Sequence, residues 1–221
     1  MLAVVLPVLA GLRWSGYSHR SQWISELGAH EAPDGGLVSA GFVLIGLLLA
    51  AGGVALVRTQ AEPRSVVWAA AVVALALGGS YLVSGVAPCD PGCPDAIDTN
   101  GADGADGTGE EIGTGQQVHD VAGVLGYTVA VYGVVAFAYA TRGSDGLPAS
   151  LAVAAVVVVA GLASAAADDW AGALQRIMEL ALLGWLVEVV RRLTAAPPVS
   201  EVIRPTGPTA VLSDFASRDA G

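Results

Sequence analysis

Apolar residues along this chain gather into six runs, separated by stretches that hold nearly all of the charged side chains. Crossing the hydrocarbon of a bilayer takes about 20 apolar residues in a helix. The runs predict helices near 1–12, 37–57, 66–87, 118–141, 149–167 and 172–193. The expected fold is therefore all-α, a polytopic integral membrane bundle of six helices over residues 1–196. A Pro-, Ser- and Thr-containing tail over 197–221 is expected to be disordered in the cytoplasm. The first run is the exception, because Met1 to Leu12 gives only about 18 Å of helix at about 1.5 Å per residue. Three explanations compete: a start site placed too far downstream, a short tilted helix in a thin patch, and a signal peptide. The last is disfavoured, since the run carries no positive charge ahead of its apolar core.

Arginine placement sets the expected orientation. With the N terminus in the cytoplasm, the inner side holds Arg58, Arg64, Arg142, Arg191, Arg192, Arg204 and Arg218, and the outer side only Arg13, Arg20 and Arg176. N-in, C-in is the expected topology. It places all three histidines, both cysteines and most of the acids on the extracytoplasmic side. Composition agrees with a membrane class: 54 % hydrophobic and 14 % charged residues, with a mean hydropathy of +0.62, are too apolar for an ordinary soluble domain. All ten cations are arginine, which points to GC-rich coding and a bacterial, multi-pass plasma-membrane protein. A net charge of -10 offers no basic stripe for phosphates, so nucleic acid is excluded as a partner. Membrane lipids are the expected partners, with a membrane-protein partner also considered. Asn100–Gly115, rich in Gly and Asp, is expected to be a mobile acidic loop. It lacks the ligand spacing of a calcium loop. No internal repeat of the transporter kind is present.

The outer face carries the candidate chemistry. Tyr17 to Ala29 packs hydroxyls, an acid, an amide and an imidazole beside the membrane, with His30 just after. Ser21, Ser25 and Gly28 have spacings that put them on one face of a short helix with Glu26 adjacent. Cys89 and Cys93 flank Asp-Pro-Gly, turn residues suited to a small disulfide ring in an oxidising compartment. A metal site from Cys89, Cys93, Asp90 and His119 is a weak match to zinc spacing, so neither metal nor cofactor is expected. His119 and Asp120 open the fourth helix, where an acid suits the helix dipole and a histidine can titrate near neutral pH. Ser164 and Asp168 share a face at the end of the fifth. The sixth begins with Gln175, Arg176 and Glu179, the last two spaced to pair with each other. An ionisable group inside a span is costly and usually faces the bundle interior, which singles out Glu179. Glu188 is expected to pair with Arg191 and Arg192.

Together, Ser21-Gln-Trp-Ile-Ser-Glu-Leu-Gly-Ala29 with Pro33, Cys89-Asp90 before His119, and Gln175-Arg176 resemble the bacterial membrane family called domain of unknown function 998. The Ile24–Gly28 core is more distantly similar to a segment of the Frag1/DRAM/Sfk1 membrane proteins. The resemblance implies a six-helix bundle and a link to lipids, and no established activity. Membrane zinc hydrolases with a Ser-x-x-x-His pattern are set aside. Ser15 and His19 have that spacing, but the last two helices contain no histidine to complete a three-imidazole site.

Three functions stand. The leading one is a lipid- or isoprenoid-facing protein, in one version an enzyme, with Glu26, His119, Asp168, Arg176 and Glu179 around a cavity. Glu26 or His119 would act as acid or base and Arg176 would hold an anionic headgroup. Ser21, Ser25, Asp90, Asp120 and Gln175 would contribute to binding. The alternatives are a non-catalytic scaffold or accessory subunit, and a proton-coupled transporter.

Overall fold

The computed structural model describes residues 1–58, 63–90, 93, 113–144 and 146–195. They form six α-helices: α1 (Leu2–Arg13), α2 (Gly35–Arg58), α3 (Arg64–Val86), α4 (Thr114–Ala140), α5 (Gly146–Ser164) and α6 (Ala171–Ala195). Two short 3-10 turns, Ser25–Gly28 and Asp168–Trp170, precede α2 and α6. Most of the acidic stretch expected over Asn100–Gly115, the tail from 197, and the tail arginines Arg204 and Arg218 lie outside the described residues.

Four helices, α2 to α5, are long and apolar enough to cross a membrane. α6 matches them in length, but Arg176, Glu179, Glu188, Arg191 and Arg192 lower its hydropathy. α1 is short, as its sequence requires, and ends at Arg13. Helix ends differ from the hydropathy estimate by a few residues, because hydropathy marks the greasy part of a helix rather than its hydrogen-bonded ends. α4 begins at Thr114, ahead of the apolar run, because the Gln116 side chain accepts from the Asp90 amide (2.7 Å) and donates to Asp120 (2.8 Å). His119 and Asp120 are therefore in its second turn and do not open it. α3 follows Pro63 and α5 has Pro148 in its first turn, where a missing N–H costs no helical bond.

α3 is the central helix, with Ala70, Ala71 and Val73 fully buried between α2 and α4. α5 packs on α4 and on α6, and α6 also meets α3, while α1 rests on α2 and on the Ser25–Gly28 turn. Large apolar side chains such as Leu47 and Leu48 on α2 and Val159 and Leu162 on α5 face outward, the arrangement expected when the surroundings are lipid. Near the end that carries Arg58 and Arg142, buried Ser150 accepts from the Trp185 indole (3.0 Å) and ties α5 to α6. Glu188 binds Arg191 (2.8 Å) and Arg192 (2.6 Å), as the spacing predicted.

α2 and α3 approach backbone to backbone. A Cβ on Gly46 would lie 2.6 Å from the Gly78 carbonyl oxygen, and one on Gly78 would lie 2.9 Å from the Ala50 nitrogen. Glycine is needed there for close approach, as at small-residue contacts between membrane helices generally. Gly79, one position along, has open space around its Cβ direction. Gly78→Ala is expected to cost about 1–3 kcal/mol by overpacking, seen as a lower unfolding temperature in detergent. Gly79→Ala should leave that temperature unchanged or raise it, which separates the contact from helix propensity.

Candidate functional site

The segment 14–34 folds back over the start of α6, where several of its polar groups find partners. The Arg20 carbonyl accepts from the Ala173 amide (2.8 Å), and Arg20 Nε donates to the Asp169 carbonyl (3.1 Å). The Ile24 amide donates to Gln175 Oε1 (2.7 Å). A Cβ on Gly172 would strike the Gln22 carbonyl, so glycine at the first turn of α6 lets the segment lie flat on the helix.

Arg176 is the fastening. Its Nη1 donates to the carbonyls of Gly172 (2.7 Å) and Gln22 (3.2 Å), and its Nη2 to Tyr17 Oη (2.6 Å) and His19 Nδ1 (3.1 Å). The Tyr17 hydroxyl in turn donates to the Trp23 carbonyl (2.8 Å). Burial pushes the Tyr17 phenol up to about 12, against the nearby Arg176 charge. Burial first, then Arg176, lowers His19, keeping its ring a neutral acceptor. The expected Arg176–Glu179 pair does not form: the two side chains leave the same helix in different directions, Arg176 toward the segment and Glu179 toward α3 and α4.

Glu26, only 6 % exposed, closes the segment on itself. Its carboxylate accepts from Gln22 Nε2 (2.6 Å) and from the Trp23 amide (2.8 Å). Burial raises its pKa, partly offset by those two hydrogen bonds. The short helix expected to align Ser21, Ser25 and Gly28 is a single 3-10 turn that excludes Ser21, because the chain turns at Ile24 to reach Gln175.

Glu179 is the inward-facing acid, 8 % exposed. Its two oxygens accept from the hydroxyls of Tyr81 (2.6 Å) and Tyr127 (3.0 Å), which join α6 to α3 and α4. Beside it lies a cavity of about 60 Å3, room for a few water-sized groups. Ile24 and Ser25 form one wall and Gln175 and Glu179 another. Ser80 and Ser84 of α3, and His119 and Gly123 of α4, complete the polar side, with Phe42 and Leu77 on the apolar side. His119 Nδ1 lies 3.0 Å from the Ala87 carbonyl, so in the neutral ring that nitrogen carries the proton and Nε2 is an acceptor.

Of the expected site residues, the structure brings Ser25, His119, Gln175 and Glu179 to this cavity. Glu26 belongs to the adjoining segment, and Arg176 of α6 binds that segment instead. Asp168 is exposed in the turn before α6, and it shares no helical face with Ser164 because α5 ends at Ser164. Asp90 and Asp120 hold the ends of the 3–4 connection through Gly113 and Gln116. Cys89 and Cys93 are disulfide-bonded, and Ser25 Oγ lies 3.5 Å from Cys93 Sγ. Among the described residues no group of His, Cys, Asp and Glu could hold a metal ion. Sequence reasoning missed Tyr81, Tyr127, Ser80, Ser84 and Gly123. The available signal was hydroxyl-bearing residues inside apolar runs, at the depth of Glu179.

A family model described as a protein of unknown function (DUF998) matches residues 1–192. No curated protein and no solved structure matches the chain.

Hydrogen bonds to a charged group contribute about 1.5–3 kcal/mol each. Arg176→Met is therefore expected to lower the hydrogen-exchange protection of the Ile24 amide and its neighbours by at least about tenfold, while amides in the middle of α3 keep theirs. The lowered His19 also gives the segment an acid sensitivity. Its contribution is complete above the ordinary histidine value of about 6.5 and is lost as pH falls through the lowered value, when two cations would meet. Glu26, being raised, works the other way: its contribution is complete below the ordinary carboxylate range and is lost as pH rises through the raised value. Protection factors of the segment should fall on acidification through the histidine range in the parent protein. In His19→Gln that step should vanish.

Proposed function

Because the chain belongs to the DUF998 family, whose description names no activity, we propose from the geometry that this integral membrane protein binds the polar end of a lipid or isoprenoid. The site is the Glu179 cavity, at the end of the bundle that the arginine distribution assigns to the extracytoplasmic side. The observation that carries this reading is an acid inside a helical bundle beside a cavity with polar groups in its lining. Mixed lining supports it: a carboxylate and hydroxyls face Phe42, Leu77 and Ile24, which suits a group with a polar tip and an apolar stem. The volume fits a headgroup's tip, not a whole headgroup.

Binding is favoured over catalysis. Catalysis of acyl transfer needs a nucleophile within hydrogen-bond reach of a base. Among the described residues Ser25 meets Cys93, and His119 meets a backbone carbonyl. Glu26, first in line as a general base from sequence, is committed to Gln22 and Trp23. Arg176, expected to hold an anionic headgroup, has both terminal nitrogens engaged by the 14–34 segment.

Gly123 allows a direct test, because it lines the cavity and a Cβ there would meet nothing within 4 Å. Gly123→Leu puts a bulky side chain on this lining, with room for its Cβ. In nanodiscs containing a photoactivatable lipid with its reactive group near the headgroup, peptides from the outer halves of α3 and α6 are expected to be labelled. Gly123→Leu should reduce that labelling at least about tenfold with no loss of thermal stability. Labelling spread evenly around the bundle and untouched by Gly123→Leu would return the protein to the scaffold reading.

A further inference from the structure

Counting donors and acceptors around the cavity assigns its occupant a chemistry. Tyr81 and Tyr127 give their only hydroxyl protons to Glu179, so each leaves oxygen lone pairs. His119 Nε2 is a further acceptor in the neutral ring. The hydroxyls of Ser80 and Ser84 have no side-chain partner among the described residues and can accept. Gln175 has its oxygen taken by the Ile24 amide, and its side-chain amide also donates to the Tyr127 oxygen, so both of its functions are already drawn on. Apart from the serine hydroxyls, which can donate or accept, the lining groups are left chiefly as acceptors.

Charge points the same way. Glu179 forms no ion pair among the described residues. The nearest cation along α6 is Arg176, three residues before it, and both terminal nitrogens of that guanidinium are engaged by Gly172, Gln22, Tyr17 and His19. A carboxylate inside a membrane bundle is costly without a countercharge, and two hydroxyls donating to its two oxygens suit it as an acceptor. A divalent ion would meet one carboxylate and no second charged ligand, whereas such ions collect several.

We propose that the Glu179 cavity takes a primary ammonium group, whose N–H bonds are received by Glu179 and by the oxygens of Ser80 and Ser84. An –NH3+ is the size of a water molecule and fits the 60 Å3 available together with a short alkyl stem against Phe42 and Leu77. A quaternary ammonium is bulkier and has no N–H to satisfy these acceptors. The amine can come from an amine-bearing lipid headgroup or from a free alkylamine. The inference rests on the cavity being the binding site proposed above and adds the class of ligand.

Thermal unfolding in phosphatidylcholine nanodiscs, with phosphatidylethanolamine introduced in increasing fraction, tests it. Near saturation the ethanolamine lipid is expected to raise the unfolding temperature by about 5 °C, and stepwise N-methylation of the headgroup should remove the effect. Both Glu179→Gln and Gly123→Leu should lose it. Gly123→Leu keeps the test meaningful if Glu179→Gln folds poorly. Soluble ethanolamine reproducing the whole shift would assign the site to a free amine, and a shift confined to the lipid would assign it to a headgroup. Equal protection by choline and ethanolamine lipids, lost in Gly123→Leu, would overturn the ammonium while leaving the lipid site standing. A shift produced by sodium chloride alone, or one retained in Glu179→Gln, would also overturn it. No protection by any lipid or amine, with labelling insensitive to Gly123→Leu, would overturn both.

Discussion

The carboxylate of Glu179 holds the least apolar helix of the bundle against the most buried one. α6 carries ionisable groups at both ends, so lipid alone would not keep it in place as it does α2 or α5. One face of it, through Met178, Leu182, Trp185 and Val189, is buried against its neighbours. That apolar face fixes which side points inward, and Glu179 shares it. Once inside, the acid must find donors, and the hydroxyls of Tyr81 and Tyr127 supply them from two different helices. Interhelical hydrogen bonds in membrane bundles contribute on average about 0.6 kcal/mol each, with values up to about 1.7. Their larger effect here is positional, since they hold three helices at one depth and leave acceptor groups facing the same space.

The fold was legible because the bilayer enforces it. Backbone groups in hydrocarbon must be satisfied within the helix, so a long apolar run has few alternatives, and hydropathy located the spans to within a few residues. Where it missed, the cause was polar residues that continue a helix beyond the greasy part, such as Gln116 in α4. Glu179 was legible as an acid among apolar residues. Its partners were not, because a tyrosine or serine within a span is unremarkable by composition. Only the packing of α3 against α4 and α6 shows that the hydroxyls of Tyr81 and Tyr127 meet the acid.

The interhelical segment was the least legible part, for a different reason. The spacing of Ser21, Ser25 and Gly28 suggested a short helix with all three on one face, and Arg176 stood free to hold an anion or pair with Glu179. Spacing of three along a helix makes contact possible, but it does not decide between partners. Arg176 had three nearby acceptors on the segment, the Gln22 carbonyl, Tyr17 Oη and His19 Nδ1, and a fourth in the Gly172 carbonyl of its own helix, and a guanidinium with its forked donors satisfies several at once. The segment therefore took the cation and the cavity was left without one.

This division of partners explains how the two parts of the site depend on each other. Ile24 and Ser25 form a wall of the cavity, yet their position is set by Gln175, which also lines it, and by Arg176 one residue further on. A group entering the cavity and the docking of the segment thus draw on adjoining residues of one helical turn. Any ligand that contacts Ser25 or Gln175 only when the segment is docked must stabilise docking by the same factor by which docking strengthens its own binding. The disulfide of Cys89 and Cys93 stands on the far side of Ser25, and His119 is held by the carbonyl of Ala87, two residues before that ring. The connection between α3 and α4 is in this way fixed to the same wall. Loop chemistry that looked like three separate motifs in the sequence is one enclosure, built around a space that a single buried acid keeps polar.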